Sequence, residues 1–289
     1  MSNIESIPCV IVAEASVLNT ARLAVEGLLI NSNVSRVDIV VPDHQYLMFY
    51  NMASDLNFEN VNIIKETNII PQPDIEKIKI GLAHKVNRFG WYLQQFLKWQ
   101  YGLCISERSY LIWDADTVLI KPMEFDSDIY QFNMAKENHT PYFDTIKKLL
   151  SIDKQVDKSF ISQYMLMKVS DLEVLIERVN EKDLGWYHTV ISKLNLIDNS
   201  EFSEYETYGN YILSSKSNVN LNNDLWFRYG SEIININDKT SICKLEEVFP
   251  QYYYIAFERH DKRLSKTILA HALHKMGIIL NFFNLGTKK

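Results

Sequence analysis

The first part of the chain alternates short unbroken apolar runs with longer stretches in which apolar residues recur every three or four positions, the pattern of strands and helices in turn. Pro8 to Ala13 is an apolar run, Val17 to Asn31 has helical periodicity, and Val34 to Val41 is strand-like and closed by Pro42-Asp43. A second helical pattern, His44 to Leu56, leads into the β-rich run Val61 to Glu66. This order predicts an α/β fold with a mainly parallel central sheet, in which ligands bind at the C-terminal ends of the strands. Asn68 to Asp74, with Pro71 and Pro73, reads as a loop, and a helix starts near Trp91, since Trp91 to Trp99 carries apolar side chains at helical spacing. Beyond Pro122 the pattern mixes. Phe160 to Val169 is strand-like, while Asp171 to Asn180 and Trp186 to Leu194 read as helices, which gives the second half an α+β character.

One apolar run ends differently from the others. Tyr110 to Pro122 delivers Asp114 and Asp116, one residue apart, to the end of a strand. In an extended chain such residues project to the same side, so the two carboxylates can share a hard cation, with the small Ala115 between them. Oxygen ligands suit Mg²⁺ or Mn²⁺, ions that usually arrive with substrate phosphates. The same spacing recurs at Asp126-Ser127-Asp128, but after Pro122 and with no apolar strand leading in, so that copy reads as a solvated turn.

Composition narrows the function classes. The chain has 289 residues, 47% hydrophobic and 23% charged, in the range of an ordinary globular protein. A net charge of −6 argues against nucleic acid as the main partner. Cys9, Cys104 and Cys243 form neither a C-x-x-C pair nor a disulfide framework, which fits a reducing compartment. With no basic n-region at the start and no apolar run long enough to span a bilayer, the expected location is the cytoplasm. Residues 1–260 read as one domain. In residues 261–289, Lys262, Arg263, Lys266, Lys275, Lys288 and Lys289 flank the apolar run Thr267 to Leu285. This basic amphipathic helical tail either packs on the body or makes a peripheral contact with the inner face of the cytoplasmic membrane.

Three blocks, Gly90-Trp91-Tyr92-Leu93-Gln94-Gln95, Asp114-Ala115-Asp116-Thr117 and Ser203-Glu204-Tyr205-Glu206-Thr207-Tyr208-Gly209-Asn210, occur in that order over about half the chain. Together they resemble a family of bacterial glycosyltransferase-like proteins associated with surface polysaccharide loci, and Trp113-Asp114-Ala115-Asp116 is similar to the DxD signature of GT-A glycosyltransferases. The resemblance implies a GT-A fold, a Rossmann-like nucleotide-binding half fused to an acceptor-binding half. It also implies a nucleotide-sugar donor, a UDP-sugar first among them, and a saccharide or lipid-linked saccharide acceptor in lipopolysaccharide or capsule synthesis. Asp114 and Asp116 would then hold Mn²⁺ or Mg²⁺ against the donor diphosphate, with Asp114 also meeting the donor, and His260 is the candidate further ligand.

Other residues acquire roles beside this pair. Arg88, Lys85 and Gln95 are candidates for contacts with the donor phosphate or nucleotide, because a basic group near the metal shares the diphosphate charge. Ala13 and Glu14, at the end of the first strand, would by fold analogy approach the nucleoside. Ser203 with Glu206 three residues on reads as a capping box, leaving Glu204 free to project elsewhere. An inverting transferase needs a carboxylate to take the acceptor proton, for which Glu204 is the first candidate and Glu206 the second. The Tyr252-Tyr253-Tyr254 run fits either a sugar platform or a core strand.

Three other readings compete. Asp114-Ala115-Asp116-Thr117-Val118 also resembles the motif of haloacid-dehalogenase phosphatases, with Asp114 as nucleophile, Asp116 as acid/base and Mg²⁺ as charge stabiliser. That motif normally sits on the first strand, whereas here about a hundred residues of alternating α/β pattern precede it, and no downstream G-D-x-x-x-D follows. A nucleotidyltransferase would carry a Gly-rich basic loop where this chain has Ala13-Glu14-Ala15-Ser16. A non-catalytic scaffold with a sugar-nucleotide fold is the remaining alternative, against which the intact Asp114 and Asp116 speak.

Overall fold

A computed structural model of the chain describes residues 7–181, 184–195 and 200–258. The early alternation is realised closely. β1 (Ile7–Val12), α1 (Leu18–Asn31), β2 (Val34–Val41), α2 (Tyr46–Leu56) and β3 (Val61–Lys65) follow one another, with single 3₁₀ turns leading into the two helices. The stretch after β3 departs from the expected loop: it forms the short α3 (Glu66–Ile69) and a second helix, α4 (Gln72–Gly81). The prolines open α4 instead of excluding it, because Pro71 is its N-cap and Pro73 lies in its first turn, where no amide proton is needed. α5 (Phe89–Cys104) starts two residues before Trp91 and leads to β4 (Ser109–Trp113) and β5 (Thr117–Leu119).

The rest of the chain interleaves short strands with helices. These are β6 (Tyr130–Asn133), α6 (Thr140–Leu150), β7 (Tyr164–Lys168), α7 (Val169–Val179), α8 (Trp186–Lys193), α9 (Glu204–Ser215), β8 (Val219–Asn222), β9 (Trp226–Phe227), α10 (Ile242–Val248) and β10 (Tyr254–Ala256). Only the second half of the Phe160 to Val169 run is a strand. The Tyr252-Tyr253-Tyr254 run ends in β10, with Tyr254 fully buried.

The central sheet has the order β3-β2-β1-β4-β7, parallel throughout except for the antiparallel β4–β7 pair. The fold is therefore α/β with a mostly parallel sheet, as the alternation predicts. Successive residues point to opposite faces: Val10 and Ile112 join the core beneath α5, whereas Cys9, Ile11, Leu111 and Trp113 join the core beneath α1. Both faces are covered, which is why β1 and β4 read as unbroken apolar runs. A three-stranded sheet, β5-β10-β9, adjoins α1, and β6 pairs with β8. At Gly27 of α1 the helix approaches β5 so closely that a Cβ would stand 2.2 Å from the Leu119 carbonyl oxygen.

The chain leaves β1 toward β2 on one side and β4 lies on the other, so the strand order reverses between β1 and β4. In open α/β sheets this is where a crevice forms at the strand C-terminal ends. Asp114 follows β4 at that point. No helix among the described residues is long and apolar enough to cross a membrane. His260 and the tail 261–289 lie outside the described residues, as does the Lys85 side chain.

Candidate active site

A cleft of about 710 Å³ opens along the C-terminal edge of the central sheet. Val12, Ala13 and Glu14 at the end of β1, Val40 and Pro42 at the end of β2 and Glu66 after β3 form one side of it; α5, the start of α9, Arg228 and Glu258 form the other, with Asp114 and Asp116 between. The sheet's switch point thus coincides with the carboxylate pair.

The pair reaches the cleft by a turn and not by strand alternation. β4 stops at Trp113, and the Thr117 amide donates to the Asp114 carbonyl at 3.0 Å, closing a turn over Ala115 and Asp116. The fully buried Trp113 reinforces it by donating from Nε1 to the Thr117 carbonyl at 2.7 Å. The Asp114 amide donates to the Gln163 carbonyl at 2.9 Å, and the Phe257 amide donates to the Asp116 carbonyl at 2.7 Å. Gln163 itself is held at φ +75°, a left-handed backbone uncommon for a residue with a side chain. Its side chain amide donates to Glu258 at 3.0 Å and its carbonyl accepts from Thr117 Oγ1 at 3.2 Å. The strain is retained where it fixes the turn that carries both aspartates.

Lys98, on α5, occupies the centre of the site. Its Nζ donates to Asp114 Oδ1 at 2.6 Å and to Glu204 Oε1 at 2.6 Å, while its side chain is only 4% exposed. Burial alone would lower the Lys98 pKa, but the two carboxylates outweigh it and the ammonium is held above its ordinary value. Tyr205 adds a third tie, donating its hydroxyl to the same Asp114 oxygen at 2.8 Å. Burial pushes the Glu204 carboxyl upward, with Lys98 opposing the rise and Asp114 adding to it.

Asp116 differs from its neighbour. It lines the cleft, and no other described residue donates to its carboxylate. Burial, then Asp114, then Glu258 push its pKa up to about 7. On the far side, Arg228 is bonded to Glu137 at 2.7 Å and to Glu258 at 3.0 Å. Among the described residues, seven carboxylates and three cations line the cleft, a formal balance of −4. Two of those cations, Lys98 and Arg228, are each already held between two carboxylates. Arg88 is the third, lying over the Trp91 ring at 5.6 Å.

The predicted site residues are therefore only partly brought together. Ala13, Glu14, Arg88, Gln95, Asp114, Asp116 and Glu204 all line the cleft. Gln95 has a second duty, since its Oε1 accepts from the Glu204 amide at 3.1 Å and its Nε2 donates to the Trp91 carbonyl at 3.0 Å. Glu206 does not line the cleft. The Ser203 hydroxyl caps α9 by accepting from the Glu206 amide at 3.2 Å, and the Glu206 carboxylate turns into the core to accept from Ser159 Oγ at 2.5 Å and the Phe160 amide at 3.2 Å. The Asp126-Ser127-Asp128 copy is an exposed turn in which the Asp128 amide donates to Asp126 Oδ1 at 2.8 Å.

Sequence reasoning missed Lys98, Gln163, Tyr205, Glu137 and Arg228. Lys98 had a readable signal: it is the one charged residue in the sixteen-residue helix Phe89–Cys104. The others carry no local signature, because their partners are distant in the chain.

Residues 26–242 match the model of DUF6492, a family of unknown function, and the chain belongs to that family. Nothing among curated proteins matches it. Among solved structures it is similar to galactosyltransferase LgtC in complex with donor and acceptor sugar analogs, at 11% identity and a TM-score of 0.49, over 94% of this chain and 95% of that one. It is also similar to the apo form of mouse xyloside xylosyltransferase 1, at 10% identity and a TM-score of 0.42, over 73% and 81% of the two chains. A third similarity is to the apo WbbM bifunctional glycosyltransferase, at 12% identity and a TM-score of 0.43, over 91% of this chain and 47% of that one.

Proposed function

We propose that this protein is a metal-dependent glycosyltransferase of the GT-A type. It moves a sugar from a nucleotide-sugar donor, a UDP-sugar first among them, to a saccharide or lipid-linked saccharide acceptor in bacterial surface polysaccharide synthesis. The reaction would take place in the cytoplasm, at the inner face of the membrane. The observation that carries the reading is the Asp114 and Asp116 pair at the sheet's switch point, in a cleft whose described lining sums to −4. A diphosphate cannot enter such a cleft favourably alone, because Lys98 and Arg228 are already paired with carboxylates. A divalent cation removes the obstacle.

The residues fit a hard cation. No other described residue donates to the Asp116 carboxylate or to Asp114 Oδ2, so both offer oxygen. No group of three His, Cys, Asp or Glu side chains among the described residues stands close enough to hold a metal. The remaining positions would fall to the donor phosphates, to water and to His260. When bound, the ion supplies Lewis-acid stabilisation of the departing diphosphate.

The positions of the side chains support the remaining roles. The nucleoside lies against Ala13, Glu14 and Pro42, along the ends of β1 and β2, while Arg88 shares the phosphate charge. Glu204, oriented by Lys98 as a base is oriented by a third group, takes the acceptor proton if the anomeric centre inverts.

The test is a panel of nucleotide sugars with and without Mn²⁺, read by donor hydrolysis and thermal shift, with a phosphomonoester alongside. The reading requires a metal-dependent shift and slow donor hydrolysis. Phosphomonoester cleavage with no nucleotide-dependent shift would replace it with the phosphatase reading.

A further inference from the structure

The two aspartates of the pair are not equivalent. Asp114 Oδ1 already accepts from Lys98 at 2.6 Å and from Tyr205 at 2.8 Å, whereas no other described residue donates to the Asp116 carboxylate. We propose that Lys98 is the positioning residue of this cleft. One buried ammonium clasps Asp114 to Glu204, so Asp116 is left as the principal cation ligand and Asp114 is committed to organising the site. This rests on the transferase reading for its catalytic consequence, but the division of labour between the two aspartates is independent of it.

Lys98 extends from α5 with its side chain 4% exposed, and both of its bonds are at 2.6 Å, to the end of β4 on one side and to the first residue of α9 on the other. A buried ammonium with two carboxylates holds both in one geometry, and deleting it leaves a buried and a half-buried anion facing each other. The same helix fixes α9 a second time, through Gln95 Oε1 and the Glu204 amide at 3.1 Å. Among the described residues Lys98 is the one link between Asp114 and Glu204 made through charge, so it sets their separation and not merely the packing.

Its removal therefore has opposite consequences for two readouts. The positive charge beside Asp114 disfavours a nearby cation, so Lys98→Met should bind Mn²⁺ more tightly in the absence of nucleotide, by about threefold or more. The same change loosens Asp114 and Glu204 and should lower kcat for donor turnover by about a hundredfold, with a much smaller change in KM. A residue that merely supported the fold would weaken both.

The experiment titrates Mn²⁺ by electron paramagnetic resonance into the wild type, Lys98→Met, Asp114→Asn and Asp116→Asn, with circular dichroism to verify folding. Should Lys98→Met fail to fold, Lys98→Gln, which removes the charge but keeps a neutral donor between the two carboxylates, takes its place. The clasp predicts that Asp116→Asn loses Mn²⁺ binding at least about tenfold more severely than Asp114→Asn, and that removing Lys98 tightens it. Equal losses in the two aspartate variants, weaker Mn²⁺ binding without Lys98, no Mn²⁺ binding in the wild type, or failure of both Lys98 variants to fold would each overturn it. If the Mn²⁺ results hold but no nucleotide sugar is turned over, the clasp stands and the transferase reading falls.

Discussion

Replacing Glu206 by Gln should make stability depend less on pH, and the sign of its effect should change between pH 4 and pH 8. The Glu206 side chain is buried at 1% exposure, and burial pushes its pKa from 4.5 up to about 7, against the smaller opposing pull of its bonds to Ser159 and the Phe160 amide. A raised carboxyl binds its proton more tightly in the folded state. Its contribution is fully present below the unfolded pKa and is lost as pH rises through the folded one. The two values differ by 2.5, which at about 1.4 kcal/mol per unit gives roughly 3 kcal/mol lost between about pH 4.5 and 7.

Glutamine remains neutral throughout, so its Oε1 keeps the bonds from Ser159 and Phe160 at any pH. Its amide nitrogen, however, faces Asn210 Nδ2, which in the wild type donates to the second carboxylate oxygen at 3.3 Å. That donor clash costs about 1 kcal/mol. Urea unfolding at pH 4 should therefore find the variant less stable by about 1 kcal/mol, and at pH 8 more stable by about 2 kcal/mol. Every other titrating group is shared, so the difference between the two curves isolates this carboxyl. Parallel curves would refute the assignment of a raised pKa to Glu206.

Other changes test the fold and the motif. Gly27→Ala would place a Cβ 2.2 Å from the Leu119 carbonyl, backbone that cannot swing aside, and should cost about 1–3 kcal/mol, read as a lower Tm. Ser203→Ala removes the hydroxyl that caps α9 and should cost about 1 kcal/mol in denaturant unfolding. The double variant Asp126→Asn, Asp128→Asn should bind Mn²⁺ and nucleotide as the wild type does in calorimetry, because that copy of the motif is an exposed turn; a lost affinity there would undo the choice between the two copies.

Much of this arrangement was legible in the residues, for identifiable reasons. β2 was legible to the residue because its valines and isoleucine favour a strand and Pro42 closes it. α4 was not, since prolines at a helix start look the same in sequence as prolines in a loop. The pairing of Asp114 with Asp116 in one cleft was legible, but its cause was not: a turn locked by Trp113, Gln163 and Phe257 delivers them, and those contacts come from up to 141 positions further along the chain. Glu204 and Glu206 were separable only once Ser203 was seen as the cap. The N-cap geometry sends one carboxylate to Lys98 and the other to Ser159. Charges whose partners are remote, such as Arg228 with Glu137, give no local pattern. The lone charge on an otherwise uncharged helix, Lys98, was the one signal available and unused.

The central claim is that Asp114 and Asp116 present a diphosphate-bound cation at the switch point of the sheet. Anomalous diffraction from crystals grown with Mn²⁺ and UDP tests it most directly. The account predicts a manganese peak bonded to Asp116 and to the diphosphate, with the nucleoside running along the ends of β1 and β2. Manganese and nucleotide bound away from Asp116, or a nucleotide seated there with no metal, would contradict it.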